Sequence, residues 1–362
     1  GRPVSGLHPL RGQNNVQGAS DAGLIPMMYP DYQRVDNPSV RHKFEAFWGM
    51  PLDPQPGLTV VETLDAVHAG VIHGMYILGE NPAMSDPDLN HARAALAMLD
   101  WLVVQDIFLT ETAMLADVIL PAAAFAEKNG SVTNTDRLVQ RVRPALVPPG
   151  QAKADWWITQ EIARRLGLPW QYDHIAEVYE EMRRTMSSIK GISWSRLDRE
   201  GAVTHPCAEE HTPGQSVVFT ERFPTSDGRA CFKPVDLQPA AELPDAEYPF
   251  VLITGRQLEH WHTGAMTRRS HVLDAIEPAA TVSVHPLDLA AFDRQPGQML
   301  RLTSRRGSLA LAARADEAIP RGAVFVAFAY HEAAANLLTN PQLDPAGKIP
   351  EFKFCAVKVE AG

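Results

Sequence analysis

Cysteine is scarce in this chain of 362 residues, which has only Cys207, Cys231 and Cys355. They lie far apart and form no Cys-x-x-Cys pair, so the usual iron–sulfur and structural zinc motifs are excluded on this chain. We expect three reduced, buried thiols in a cytoplasmic protein. No apolar run approaches the roughly 18 residues that span a bilayer, and no signal-peptide pattern is present, so we predict no membrane span.

A basic stripe is also lacking. The net charge is −10 with scattered Lys and Arg, which argues against nucleic-acid binding but not against a single nucleotide cofactor. The chain is 45% hydrophobic, enough for two or three domains or lobes. Residues 1–4 lack an initiator Met, and we therefore interpret the chain as a fragment or a split subunit.

The first half shows an α/β pattern. Residues 59–69 predict a helix with Val60, Leu64 and Val67 on one face and Gly70 as its stop. A strand at 75–78, a helix near 88–99 and a strand from Leu102 follow. This order predicts a parallel sheet, whose ligands lie beyond the carboxyl ends of the strands.

Residues 102–136 combine two apolar strands, which we expect to be buried, with a polar turn. The first strand ends at Gln105 and Asp106, where a carboxylate can accept two N–H donors from a base or ribose. Thr110 predicts a helix cap, followed by about two helical turns and a second strand at 118–120. An ordinary strand, turn and strand in which Asp106 merely caps the helix explains this segment equally well.

The first strand of this unit ends in a turn of its own, Gly79-Glu80-Asn81-Pro82. Gly79 would let backbone approach a phosphate, and Asn81 could donate its amide. A plain tight turn is the simpler interpretation of this motif alone.

The second half becomes rich in short β segments. A Pro-rich linker at 144–150 precedes predicted helices at 155–165 and 174–188, and 190–216 contains no clear element. Beyond residue 217 the spacing predicts a small β-barrel, with a hairpin turn at 305–307. Its predicted strands lie at 217–219, 250–253, 281–284, 299–302 and 323–326.

Residues 9–18 form a loop of amides and glycines with almost nothing apolar to bury. Such a loop suits a polar heteroaromatic ring or an anion. Arg11 is the natural partner of a carboxylate, because a planar guanidinium can donate two parallel hydrogen bonds. The alternative is a solvated loop with Arg11 in a surface ion pair.

Residues 254–267 begin where the predicted strand at 250–253 stops. His260 and His262 are two residues apart and could form a metal pair on an extended segment, but no third ligand is evident nearby. We therefore favour hydrogen bonding of an anionic ligand by Arg256, His260 and the hydroxyls of Thr263 and Thr267. One of the histidines could instead satisfy local backbone groups.

Together these segments resemble the molybdopterin-dependent oxidoreductases and, within them, the catalytic alpha subunits of formate dehydrogenases. The resemblance spans nearly the whole chain, and its most specific motif is Arg11-Gly12-Gln13-Asn14-Asn15-Val16-Gln17-Gly18. The motifs shared more widely across the family are Gly79-Glu80-Asn81-Pro82, the blocks 105–121 and 127–130, residues 254–269, and the tail segments 332–339 and 350–353.

The resemblance implies a bis(molybdopterin guanine dinucleotide) cofactor, bis-MGD, carrying molybdenum or tungsten. It would be clamped between a parallel-sheet α/β domain and a C-terminal double-psi β-barrel. Arg11 would orient formate, and no residue of this chain is a metal ligand. The resemblance and the motifs above together give the cofactor-binding positions Gly12, Gln13, Asn14, Gly79, Glu80, Asn81, Gln105, Asp106, Thr110, Gly130, Asn134, Thr254, Arg256, His260, His262, Thr263, Thr267, Asn336 and Lys353.

The same resemblance implies four segments. These are the end of an upstream domain (1–18), a dinucleotide-binding α/β domain (19–125), a connecting helical region (126–216) and the barrel domain (217–362). The family's iron–sulfur cysteines and its Cys-His or selenocysteine-His pair are expected upstream of residue 1, so this chain alone should be inactive.

The complete enzyme would oxidise formate to carbon dioxide reversibly. Its expected partners are the rest of the catalytic subunit together with iron–sulfur and flavin subunits that reduce NAD. Two alternatives remain: a module that holds cofactor or assists assembly without catalysis, related to the large peripheral subunit of respiratory NADH dehydrogenases, or a related nitrate or oxide reductase.

Overall fold

The computed structural model describes residues 7–362, so residues 1–4, on which the fragment interpretation rests, lie outside the described part. Two compact units are formed. The first unit comprises the chain up to Leu58 together with Ala122–Val235, and the second comprises Thr59–Pro121 with Asp236–Gly362. These units cut across the four predicted segments, and the four-segment division stays a prediction.

Helices and strands alternate irregularly along the described chain. The helices are α1 Val16–Asp21, α2 Pro38–Trp48, α3 Val60–His68, α4 Pro82–Ser85, α5 Leu89–Met98, α6 Asp155–Arg165, α7 Ile175–Thr185, α8 Trp194–Glu200, α9 His271–Ile276 and α10 Pro286–Ala291. The strands are β1 Met28–Tyr29, β2 Gln33–Arg34, β3 Gly74–Leu78, β4 Trp101–Asp106, β5 Val118–Pro121, β6 Gly130–Thr133, β7 Leu138–Val142, β8 Ala202–Thr204, β9 Phe250–Gly255, β10 Thr281–Val284, β11 Met299–Thr303, β12 Ser308–Ala315, β13 Ala323–Ala327 and β14 Cys355–Ala361.

The sheet of the second unit is parallel, as predicted, with the order β3-β4-β5. Leu78 pairs with Gln105, so the turn after β3 and the end of β4 lie at the same edge. The prediction that both apolar runs of 102–121 are buried is wrong for β5. This strand lies at the edge of the sheet, and Val118 and Ile119 are 48% and 43% exposed.

Two helical details of this region also differ from the predictions. Only one 3-10 turn, Ala113–Leu115, replaces the two predicted turns before β5. Helix α3 forms as predicted, and the carboxylate of Glu62 accepts the backbone N–H of Thr59 at its start. Its buried face contains Val61 together with Leu64 and Val67, whereas Val60 is exposed. The buried face of α3 therefore includes the second valine of the pair and not the first.

A closed barrel forms the rest of the second unit, with the strand order β10-β12-β11-β14-β9-β13. It confirms the predicted α/β class with a C-terminal barrel. The hairpin turn at 305–307 is confirmed between antiparallel β11 and β12. The strand predicted at 217–219 is wrong, since this segment is non-regular and Phe219 has φ +60°. The remaining two of the six barrel strands, β12 and β14, are not among the predicted strands.

The first unit contains the antiparallel sheet β6-β7-β8. Helix α6 confirms the prediction at 155–165, while α7 is shorter than predicted. The prediction of no clear element at 190–216 is wrong, since α8 and β8 form there around the buried Ile192 and Leu197. Cys231 is exposed, which corrects the expectation of three buried thiols. Within residues 7–362, no helix is both long and apolar enough to cross a membrane.

Candidate functional site

Two carboxylates meet at the carboxyl edge of the parallel sheet. Asp106 Oδ1 accepts the backbone N–H groups of Ile107 at 2.6 Å and Phe108 at 3.3 Å, which shapes the turn after β4. Burial raises the pKa of Glu80, and the negative charge of Asp106 raises it further. A ligand that presents N–H donors, such as a guanine base, would relieve this repulsion. The edge therefore suits a donor-rich base more than a phosphate.

The neighbouring polar side chains build the rim of this edge. Asn81 is buried, and its amide nitrogen donates to Glu111 at 2.7 Å while its oxygen accepts the Thr112 hydroxyl at 2.8 Å. Thr110 Oγ1 accepts the N–H of Ala113 at 3.2 Å, as a capping residue would. The fully buried Gln105 accepts a hydrogen bond from a tyrosine hydroxyl of β3. Gly79 has φ +65° and open space where a Cβ would lie.

A cationic cluster lies at the end of β9, formed by Arg256, His262 and Lys353. Burial lowers the pKa of His262, and the charges of Arg256 and Lys353 lower it further. Burial and the charge of Arg256 likewise lower the pKa of Lys353. In residues 7–362, no carboxylate lies within 4.0 Å of the charged groups of Arg256 or Lys353. The positive charges of Arg256 and Lys353 therefore favour the binding of an anion at this cluster.

The other predicted residues of this segment hold its conformation. The Thr254 hydroxyl donates to the carbonyl of Phe352 at 2.6 Å, and Thr267 Oγ1 accepts a backbone N–H at 2.9 Å. His260 is 1% exposed, and its Nε2 lies 2.7 Å from the Glu277 carbonyl, so it satisfies a backbone group. Thr263, three residues further along the chain, is also buried. Among the described residues, no group of three or more His, Cys, Asp or Glu could hold a metal ion.

The sheet edge and the barrel segment meet within the second unit. Arg269 donates to the carbonyl of Leu109 at 3.1 Å, and its guanidinium lies 4.8 Å from the ring centroid of Phe108. Asn336 donates to the carbonyls of Met84 and Ser85. Three motifs that are far apart in sequence are thereby joined in one unit.

The predicted substrate loop belongs to the first unit. Arg11 is exposed, and no carboxylate in the described chain lies at ion-pair distance from it, so the surface ion pair of the alternative interpretation does not form. Asn15 Oδ1 accepts the N–H of Thr133 at 2.8 Å, so the residue that follows Gly12, Gln13 and Asn14 in sequence is held at the strand that begins at Gly130. Asn134 Oδ1 accepts the N–H of Leu138 and shapes the hairpin that follows.

Sequence reasoning missed Asp86, which is 6% exposed at the end of α4. Burial raises the pKa of its carboxyl to about 7, and the charge of Glu80 raises it while a hydrogen bond from Ser85 opposes the shift. Its Oδ2 has no hydrogen-bond partner among the described residues. An Asp after a turn is common, so the sequence carried no signal for this burial.

Comparisons with known proteins agree across the chain. Residues 10–165 match the molybdopterin oxidoreductase family, and residues 250–356 match the molydopterin dinucleotide binding domain. The chain is 44% identical to the F420-dependent formate dehydrogenase subunit alpha of Methanocaldococcus jannaschii, over 99% of this chain and 53% of the relative. It is 34% identical to the assimilatory nitrate reductase catalytic subunit of Bacillus subtilis, over 99% of this chain and 52% of the relative.

A solved structure shares the fold. Acetylene hydratase from Pelobacter acetylenicus aligns with a TM-score of 0.65 and 18% identity, over 89% of this chain and 50% of that one. The chain thus spans about half the length of the relatives it matches. Because two family matches cover both the α/β and the barrel segments, the chain belongs to the molybdopterin oxidoreductase family.

Proposed function

We propose that this chain is the C-terminal part of a molybdenum or tungsten formate dehydrogenase catalytic subunit, which binds bis-MGD and oxidises formate to carbon dioxide reversibly. The observation that carries the proposal is the cationic cluster of Arg256, His262 and Lys353, which has no described carboxylate partner and lies in a segment matched to a dinucleotide-binding domain. The identity to a formate dehydrogenase alpha subunit supports the substrate.

The residues present fit the cofactor at both ends of a dinucleotide. The cationic cluster would hold phosphate or pterin oxygens, since closely spaced cations are stabilised by an anion. Asp106 and Glu80 would accept N–H groups of a guanine, which removes the repulsion between them. When bound, the metal and its pterins supply the redox chemistry that these side chains lack.

Arg11 would hold the substrate. A guanidinium can donate two parallel hydrogen bonds to the two oxygens of formate, which fixes the orientation of the ion. Gln13 would lie against a pterin, and Gly12, Asn14, Gly130 and Asn134 would also contact the cofactor. The protein's share in the reaction is then positioning and electrostatics.

The partners and location belong to the same proposal. Iron–sulfur and flavin subunits would carry the electrons, and the remaining part of the catalytic subunit would supply the metal ligand. One relative is named for its dependence on F420, so the acceptor has to be measured rather than taken as NAD. The cytoplasmic location stays a prediction from cysteine usage.

A second candidate is a nitrate reductase, because one relative at 34% identity carries that name. The higher identity to the formate dehydrogenase subunit, 44%, favours formate. A cofactor-holding module without catalysis is the third possibility. It is less favoured because Arg11 is exposed and pairs with no carboxylate of the described residues, which leaves its guanidinium open to a substrate anion.

The test uses the intact enzyme that contains this chain. Metal analysis and pterin fluorescence should show molybdenum or tungsten with pterin, and formate should reduce a redox dye. Pterin and metal without formate-dependent dye reduction, but with nitrate-dependent oxidation of the reduced dye, would establish the nitrate reductase instead. A protein without metal and pterin would leave only the assembly role.

A further inference from the structure

A buried acid and a buried base face each other in the first unit. Asp21, the last residue of α1, is 5% exposed, and His205, which follows β8, is 6% exposed. His205 Nε2 lies 3.2 Å from Asp21 Oδ2. The two residues come from opposite ends of the unit's sequence, so the fold has to bring them together.

Asp21 also forms hydrogen bonds with polar side chains next to the predicted substrate loop. Gln17 donates from Nε2 to Asp21 Oδ1 at 2.6 Å and lies 3.3 Å from the Tyr32 hydroxyl. Burial raises the pKa of Tyr32, the charge of Asp21 and a hydrogen bond to it raise it further, and the charge of Arg11 lowers it. The field of Arg11 therefore reaches Tyr32, which itself contacts Asp21. Tyr32 is therefore the residue whose surroundings include both Asp21 and Arg11.

The other end of α1 is fixed as well. Asn15, the residue before α1, accepts the backbone N–H of Thr133 at 2.8 Å. A Cβ at Gly18 would lie 2.4 Å from Asn15 Oδ1 and 3.1 Å from Thr133, so the helix packs tightly on β6. With Asn15 at its start and Asp21 at its end, α1 has little freedom to turn. Residues 11–14 are attached directly to this helix.

A role in stability alone explains the pair poorly. Removing two ionisable groups from water carries a free-energy cost, and a buried pair often stabilises less than apolar side chains of the same size. The cost is high here because neither ring nitrogen of His205 makes a well-oriented hydrogen bond to a described residue. Buried polar pairs of this kind are best attested where they fix one arrangement among several.

We propose that Asp21, held by His205, is a positioning residue that fixes α1 and thereby the orientation of Arg11 toward a carboxylate substrate. This inference rests on the proposed function, because its kinetic readout needs turnover of formate. Neither residue touches the substrate. Both act through the conformation of residues 11–17.

The test compares Asp21→Asn and His205→Gln in the intact enzyme. Both variants keep a side chain of similar size that can hydrogen-bond, while the acid–base pair is lost. Asp36→Asn is the matched control, since Asp36 pairs with Arg34 on the surface of the same unit at 2.9 Å. Formate kinetics are measured together with backbone hydrogen exchange of residues 11–22.

We expect the KM for formate to rise about tenfold in both variants with kcat little changed, because oriented binding of the carboxylate is lost. Exchange should accelerate in residues 11–22 and not in β7 or α6. The control should match the wild type in both measurements. The double variant should be no worse than either single one, since the two residues act as one unit.

Other results separate this inference from the proposed function. If wild-type enzyme turns over formate but the variants keep its KM and the exchange of residues 11–22, the inference is overturned. Faster exchange spread over the whole first unit with unchanged KM shows a purely structural pair and overturns it too. If the wild type does not use formate, the proposed function fails, and exchange alone decides whether the pair fixes the loop. Should Asp21→Asn not accumulate, His205→Gln tests the same pair from the other side.

Discussion

Asn336 donates from its side-chain amide to the carbonyl oxygen of Ser85 at 2.8 Å, although 251 positions separate the two residues. The same nitrogen lies 3.2 Å from the carbonyl of Met84, and Asn336 is only 4% exposed. Helix α4, which follows the turn after β3, is therefore hydrogen-bonded to the segment between β13 and β14. Together with the hydrogen bond from Arg269 to the Leu109 carbonyl, the Asn336 bond joins the sheet edge to the barrel segment within the second unit.

Replacing Asn336 with Ala should destabilise the second unit by about 1–3 kcal/mol, because two carbonyl groups lose their donor in a buried place. Denaturant unfolding, with hydrogen exchange of α4 as a local probe, measures the loss. Asn90→Ala is the control, since exposed Asn90 makes a single hydrogen bond to the Arg306 carbonyl at 3.2 Å. Equal stability of the two variants would show that the Asn336 bonds do not hold the unit together.

Much of the fold could be predicted because periodicity survives without tertiary information. Strands β3 and β4 each contain a short apolar run, at 75–78 and 102–104, and the hairpin at 305–307 has a glycine where the chain turns. Strand β14 was missed although Val357 and Val359 alternate with charged residues, so its signal was present. The face of α3 could not be chosen, since Val60 and Val61 both fit a helical repeat with Leu64.

The site was harder to predict because burial and long-range pairing decide the chemistry. The motifs directed attention to Asp106 and Arg256, whose role as cofactor ligands stays a prediction. Nothing in the sequence indicates that Asp86 is buried or that Asp21 faces His205, since each depends on a partner element folded over it. Asn81 and Thr110 have side chains that could bind a ligand, but in the fold both make hydrogen bonds to other residues of the protein.

The buried Asp86 should make the second unit less stable as the pH rises. Its folded-state pKa, about 7, exceeds the ordinary value of 3.8, so the native state holds this proton more tightly than the unfolded state does. No penalty exists below about pH 4, the penalty grows between about pH 4 and 7, and it is constant above that range. Asp86→Asn should therefore raise the unfolding free energy by roughly 2–4 kcal/mol at pH 8, and by less at pH 5.

Urea unfolding at both pH values checks the Asp86 prediction. The exposed Asp293 provides the control, because Asp293→Asn removes the same charge at the surface and also suits the positive φ found there. A gain of stability that is equal at pH 5 and pH 8 would show that the carboxyl is not protonated in the folded protein.

The three thiols should differ sharply in reactivity. Cys231 is exposed, whereas Cys207 and Cys355 are 2% and 0% exposed, and burial raises the pKa of Cys355 to about 11. Iodoacetamide attacks the thiolate, so at pH 8 the native protein should be alkylated at Cys231 alone. Mass spectrometry of the peptides identifies the site, and labelling of all three after denaturation is the control. Rapid alkylation of Cys355 in the native state would contradict its burial.

The cationic cluster should govern retention of the cofactor. Arg256→Gln or Lys353→Gln removes one donor of a charge-assisted hydrogen bond to an anion, and each should weaken retention about tenfold. Pterin fluorescence and metal content per chain after extensive dialysis provide the measurement. Lys358→Gln is the matched control, because Lys358 pairs with Glu360 at 2.6 Å outside the cluster. Undiminished pterin in both cluster variants would exclude these residues as cofactor ligands.

The role proposed for Arg11 is tested by Arg11→Lys in the intact enzyme. An ammonium group keeps the charge but cannot donate two parallel hydrogen bonds from one plane, so formate should lose its fixed orientation while the cofactor stays bound. We expect kcat/KM for formate to fall about 10- to 100-fold with unchanged pterin content. Arg34→Lys is the control, since Arg34 is an exposed arginine of the same unit that already pairs with Asp36. Formate kinetics that equal those of the wild type would mean that Arg11 does not bind the substrate.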